Sequence, residues 1–223
     1  MKEPATTLSP EDLTRAEKVL YFTTEAGYEE FVSRLSKPGA DILASTTPNH
    51  QHLNHMAIGL AGELGELAER VLGYDLGGPL STSEEESLIE EGGDFVFYLQ
   101  GLLVGIGSTF TSAASTGQSL IPPASLRGLN HDERFLLLAK FTGDVLDGIK
   151  REVIYGKELE RVKVIRAIHA CKITLYSLLD GATNGDPRRV LKAHNVEKLM
   201  GRYEKVAYSD EAALARADKN PGG

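Results

Sequence analysis

The chain has 223 residues, 41% of them apolar and 25% charged, with a formal net charge of -8. That length supports one sizeable core or two small units. The acidic balance excludes a nucleic-acid backbone binder, which needs a basic face, while metal and a few local cations would still admit a polyphosphate.

Taken in chain order, the first residues, Met1-Lys2-Glu3-Pro4, are polar and carry no hydrophobic core of a signal peptide. Ser9-Pro10-Glu11-Asp12 predicts a short helix with a capping serine, proline at the first position and acids in the first turn. A second short helix is predicted from about Tyr28 to Leu35, followed by a loop over 37–49. A long helix should run from about His50 to Leu72. Ser83-x-x-Glu86 reads as a capping box opening a helix that runs to about Gly107. Residues 108–130, rich in Ser, Thr, Ala, Gly and Pro, read as a linker. Asn130 should cap the next helix, a further helix covers about Glu158–Leu179, and Asp186-Pro187 starts the last clear one, ahead of a frayed tail. Cys171, the single cysteine, falls on an apolar helix face, where a buried thiol is the default. No apolar run approaches the roughly 20 residues that cross a bilayer. The expectation is an all-α, soluble, cytoplasmic protein without a membrane or nucleic-acid partner.

Two acidic pairs carry the chemistry: Glu63-x-x-Glu66 and Glu91-x-x-Asp94. At about 100° per residue, His52, His55, Gly59, Glu63, Glu66 and Arg70 form one polar stripe beside an apolar face. Ser87, Glu91, Asp94, Tyr98, Gly101 and Gly105 form the matching stripe on the next helix. Antiparallel pairing would bring four carboxylates to the edge of the seam. Acidic pairs are more often a solvated face. Here they border the core on both helices, glycines thin the surroundings, and no Lys at i+4 neutralises them. Carboxylates gathered in this way repel unless a cation joins them or a pKa rises.

The two sides of the linker resemble one another. Gly62-Glu63-Leu64-Gly65-Glu66 aligns with Gly143-Asp144-Val145-Leu146-Asp147, and the same shift pairs Arg70 with Arg151 and Tyr74 with Tyr155. With a loop five residues shorter, Glu91 and Asp94 align with Ala167 and Ala170. The second copy therefore lacks a full ligand set, but gains Lys140, Lys150, Arg151, Lys157 and Lys163. The expected architecture is a four-helix-bundle core of two repeated hairpins (50–107 catalytic, 131–182 degenerate), a pseudo-dimer in one chain. Segment 1–49 would precede it, 108–130 would link the copies, and 183–223 would follow as a C-terminal helix and tail.

E-x-x-E followed by E-x-x-D, with His55–Leu67 and Glu91–Leu99 around them, resembles the MazG-like all-α nucleoside triphosphate pyrophosphohydrolases in their phage-borne form. That family is related to the dimeric dUTP pyrophosphatases. The run Asn195-Val196-Glu197-Lys198-Leu199-Met200-Gly201-Arg202-Tyr203 is similar to its N-x-x-K-L-x-x-R-Y ending. Two departures stand out: Gly62 replaces the first Glu of the frequent E-E-x-x-E form. The segment Lys150–Lys157, which single-copy relatives carry directly after E-x-x-E, occurs only in the second copy.

The resemblance implies hydrolysis of a (deoxy)nucleoside triphosphate to monophosphate and pyrophosphate, in the cytoplasm or, for a phage protein, in that of the host. Glu63, Glu66, Glu91 and Asp94 would hold one to three Mg²⁺ ions, with Mn²⁺ as a substitute, and Glu66 would orient the attacking water. Lys150, Lys157, Lys198 and Arg202 are candidates for the pyrophosphate, with Tyr155 beside them. Asn195 and Tyr203 join them through the family motif, although capping and packing would also explain them. His52 and His55 are readable equally as contacts to base or sugar and as ordinary polar residues at a helix start. A composite site, with acids from copy one and cations from copy two, follows from the departures. The competing readings are a dUTP-specific pyrophosphatase, a di-iron carboxylate bundle, which would need Glu-x-x-His pairs that are missing here, and a non-enzymatic helical interaction module. A further homodimer is left open.

Overall fold

The computed structural model describes residues 13–109, 123–203 and 206–215. Every element among them is helical. The chain divides into an N-terminal unit ending at Ser45 and a main unit beginning at Thr46.

In the N-terminal unit α1 (Arg15–Phe22) starts from a Thr14–Glu17 capping box. The start expected at Ser9 lies outside the described residues. α2 (Glu25–Leu35) is capped by Thr24, three residues ahead of the expected start. Gly27 lets α2 close on α1: a Cβ there would stand 2.1 Å from the Tyr21 carbonyl oxygen. Phe31 stacks on Tyr28 and meets Phe22. The loop expected over 37–49 instead contains α3 (Gly39–Ser45), begun where the Pro38 carbonyl accepts from the Asp41 and Ile42 amides. Its Ala and Leu residues favour helix once that turn forms.

The main unit is built on two hairpins. α4 (Pro48–Gly73) opens with Pro48 in its first turn and Thr47 as cap. α5 (Thr82–Ile106) starts from Ser81, whose capping box uses Glu84, so the expected box at Ser83 sits two residues too late. Both Ser-x-x-Glu spacings satisfy the pattern, and the earlier one is used. Gly107, at φ 70°, closes α5 in the left-handed conformation that glycine adopts most readily.

Within the span read as linker, α6 (Pro123–Leu126) is a single turn, and residues 110–122 lie outside the described residues. α7 (His131–Val153) is capped by Asn130 as expected. α8 (Arg161–Leu178) starts after Glu160, which makes no side-chain cap. α9 (Pro187–Arg202) starts on Asp186-Pro187. A final turn of helix, α10 (Asp210–Ala215), occupies part of the stretch expected to fray.

α4 packs along α5 and α7 along α8; the hairpins meet mainly through α4 and α7, and α9 lies on α5. The core is one cluster in which Leu53, Leu60, Phe95, Leu99, Leu138, Ile168 and Leu175 are fully or almost fully buried. On the second helices of the hairpins the repeat register holds: Leu88 with Val164, Phe95 with Cys171, Leu99 with Leu175 and Leu102 with Leu178 are all buried. On the first helices it drifts toward the C-terminal end, where Leu72 is 84% exposed and its counterpart Val153 is buried. Cys171 is the buried thiol expected, 3.7 Å from the Thr142 hydroxyl, and burial pushes its pKa up to about 12, which keeps it unreactive. Among the described residues no helix is long and apolar enough to cross a membrane.

Candidate metal centre at the α4–α5 seam

The two polar stripes meet as antiparallel neighbours. At the open end His52 Nε2 lies 3.0 Å from the Gly101 carbonyl, which it can only approach as donor, so this histidine fastens α4 to α5. One turn on, the exposed His55 faces Tyr98 with ring centroids 6.3 Å apart. Tyr98 rests on Gly59; a Cβ there would stand 2.1 Å from its ring. Glu63, Glu66 and Glu91 follow, each offering one carboxylate oxygen within 4.8 Å of the others. Arg70 closes the row, 3.3 Å from the buried carboxylate of Glu91.

Asp94 stands beside these three without joining them. Its Oδ1 accepts from Asn195 Nδ2 at 2.7 Å, and its other oxygen pairs with Lys198. Lys198 also reaches Glu90 at 3.1 Å. Gly92 and Gly93 make this possible. A Cβ on Gly93 would stand 2.9 Å from the Leu191 carbonyl oxygen, and one on Gly92 2.5 Å from Leu179. Only a helix surface without side chains admits α9 this close, and that approach carries Asn195 and Lys198 to Asp94.

The electrostatics follow from the geometry. Burial first, then Asp94, Glu66 and Glu91, push Glu63 up to about 8 against the opposing pull of Lys198. Glu91 is raised by burial and by Glu66, with Arg70 holding it down. Tyr98 is raised by burial and by Glu63 and Asp94, while Arg202 and Lys198 oppose. Burial acts against the Lys198 ammonium, but Asp94 and Glu90 outweigh it and the group is raised. The three glutamates are an all-oxygen set that fits a hard divalent cation such as Mg²⁺, and a cation would offset both the burial and the mutual repulsion that raise Glu63.

The second hairpin contributes differently from the sequence expectation. Ala167 and Ala170 are buried core residues where copy one has Glu91 and Asp94. Asp144 pairs with Lys140, while Arg151 and Lys163 pair with Glu160 at 3.1 and 3.6 Å. Lys150 lies over the Tyr155 ring at 5.8 Å, and exposed Lys157 follows at the same end of α7. That end adjoins the start of α4, where His50 lies 3.9 Å from Glu152. Glu63 is 13 residues further along α4, roughly 20 Å at 1.5 Å per residue. The cations beside the acids come instead from α9 and from Arg70. Of the motif at the end of α9, Asn195 and Lys198 reach Asp94, Arg202 acts on Tyr98, and Tyr203 faces Tyr208 with centroids 6.0 Å apart.

Sequence reasoning passed over Arg70, Glu90 and Tyr98 as site residues. Arg70 and Tyr98 share the stripes with the acids, so the signal was present; Glu90 has its place only because of Lys198. Comparison with known proteins adds no relative: no family model matches the chain, and no curated protein or solved structure is similar to it.

Proposed function

We propose that the chain is a Mg²⁺-dependent nucleoside triphosphate pyrophosphohydrolase of the MazG-like kind, acting in the cytoplasm, with its two hairpins forming a four-helix-bundle pseudo-dimer of which only the first is catalytic. The observation that carries this reading is the convergence of Glu63, Glu66 and Glu91 within 4.8 Å, at a seam where Glu63 is pushed up to about 8. Bound Mg²⁺ would neutralise the triphosphate and acidify the attacking water.

The protein's own groups have separable tasks. Glu63 and Glu91, from facing helices, would hold the cation in place. Glu66, the exposed member of the three, is the carboxylate that water reaches, and it orients that water and takes its proton. Lys198 and Arg202, on one face of α9, supply positive charge toward the departing pyrophosphate. Lys150, Tyr155 and Lys157 are assigned no part in this site. Asn195 holds Asp94, and Asp94 holds Lys198, so these two act by positioning.

The test is turnover by the purified full chain of each of the eight common ribo- and deoxyribonucleoside triphosphates with Mg²⁺, reading pyrophosphate and orthophosphate separately. Pyrophosphate release that stops with chelator and with Glu91→Gln is expected. Orthophosphate with diphosphate, or turnover indifferent to Glu91→Gln, would refute the proposal.

A further inference from the structure

The N-terminal unit leaves an ordered apolar face uncovered. On α2, Tyr28, Phe31, Val32 and Leu35 recur at i, i+3, i+4 and i+7, the spacing of a single helix face. Val19 on α1 extends that face: it lies one turn before Phe22, which meets Phe31 with ring centroids 5.2 Å apart. A face of this kind is normally buried against a neighbour. These five side chains are instead 39% to 68% exposed.

Helices this short need burial to persist. α1, α2 and α3 have 8, 11 and 7 residues, below the roughly 12–15 at which an isolated helix becomes more than marginal in water. Gly27 is the one residue that they bury. So small a hairpin usually relies on a disulfide, a metal or association. The single cysteine is elsewhere, at Cys171, and the one candidate metal cluster among the described residues lies at the α4–α5 seam. The exposures are those of the whole chain, so the cover comes from a second molecule.

We propose that this face is the interface between two copies of the chain, packed across a two-fold axis. The area matches what a dimer needs. From the fractions above, the five side chains leave on the order of 400 Å² of apolar surface open. Two copies would cover roughly 800 Å² of it, which with the polar share of an ordinary interface makes about 1,300 Å². Stable complexes bury about 1,200–2,000 Å². The chemistry matches as well. No charged residue sits on the stripe, so two copies meet without burying a charge, and Tyr and Phe are residues that interface cores favour. Glu25 and Glu29 border one edge of the stripe and Arg34 the other, so the rim carries both signs and can face its own copy. The proposal does not depend on the activity proposed above.

The experiment is sedimentation of the full chain at neutral pH in EDTA, over concentrations from about 1 to 200 μM. A reversible monomer–dimer equilibrium with a Kd on the order of 10 μM is expected for an interface of this size. Tyr28→Glu and Leu35→Glu each bring a charge into the stripe and should weaken the dimer at least about tenfold. Circular dichroism, dominated by the main unit, verifies that each variant is folded. Ser33→Glu, on the opposite side of α2, and Glu91→Gln at the metal centre should leave the Kd unchanged. A chain that stays monomeric over the whole range overturns the proposal, whether its face is covered by another protein or by none. So does a dimer that keeps its Kd in both Tyr28→Glu and Leu35→Glu, or that is lost in Ser33→Glu or Glu91→Gln.

Discussion

Glu63→Gln tests the electrostatics of the proposed metal centre without any assay of catalysis. In the metal-free fold Glu63 is raised from 4.5 to about 8, chiefly by burial and then by Asp94, Glu66 and Glu91. Between those values the folded chain holds a proton that the unfolded chain has released, so stability falls as pH rises through that window. At full strength such a shift is worth about 5 kcal/mol. Glu63 is only partly buried, and solvent screening reduces the effect to about 2 kcal/mol. At roughly 2–4 °C per kcal/mol for a chain of this size, the wild type should lose about 4–8 °C in Tm between pH 5 and pH 8 in EDTA beyond the loss shown by Glu63→Gln. The two proteins should melt together near pH 5, the variant should be the more stable at pH 8, and Mg²⁺ should rescue the wild type there by binding its folded form. Thermal unfolding followed by circular dichroism reads all three. Parallel curves for the two proteins across the whole pH range would refute the reasoning.

Other expectations follow from the same geometry. Mg²⁺ binding must expel the Glu63 proton below pH 8, so its Kd, read by calorimetry, should rise by up to about tenfold per pH unit on acidification, less steeply in Glu63→Gln. Lys198→Met leaves Glu90 and Asp94 without their cation and should cost about 2 kcal/mol by denaturant titration, together with most of the pyrophosphate release. Gly93→Ala places a methyl 2.9 Å from the Leu191 carbonyl oxygen; it should destabilise by about 2 kcal/mol and lower activity, because α9 must move. Asp144→Asn combined with Asp147→Asn should leave turnover within about twofold of wild type, since their hairpin carries Ala167 and Ala170 where the other has Glu91 and Asp94; a loss comparable to that of Glu91→Gln would reopen the composite site.

The seam was legible because helical periodicity fixes which residues share a face. His52 meets Gly101, His55 meets Tyr98 and Glu66 lies beside Glu91 in the antiparallel order that the two stripes dictate. Helix starts were legible where one cap dominates, as at Asn130 and Asp186, and ambiguous where two boxes overlap, as at Ser81 and Ser83. The setting of Asp94 was not legible. Periodicity places it with the glutamates, but its partners arrive from α9, more than a hundred residues later, through an approach that glycine permits without announcing. The cations of the second hairpin were legible as charge but not in their placement: sequence does not show that Lys140 and Arg151 are matched by Asp144 and Glu160, or that Lys150 lies over Tyr155 at the end of α7.

That distance along the chain also sets an order of events. Asp94 and Lys198 are separated by 104 positions, and at about 5–20 residues per second of synthesis this is roughly 5 to 20 seconds. Through that interval α4 and α5 exist without the lysine that balances their acids. The nascent hairpin therefore has Arg70 at Glu91 but no cation at Glu90 and Asp94, and protons or a metal ion would have to relieve the remaining repulsion until α9 emerges. Newly made chains should mature faster where divalent cation is plentiful.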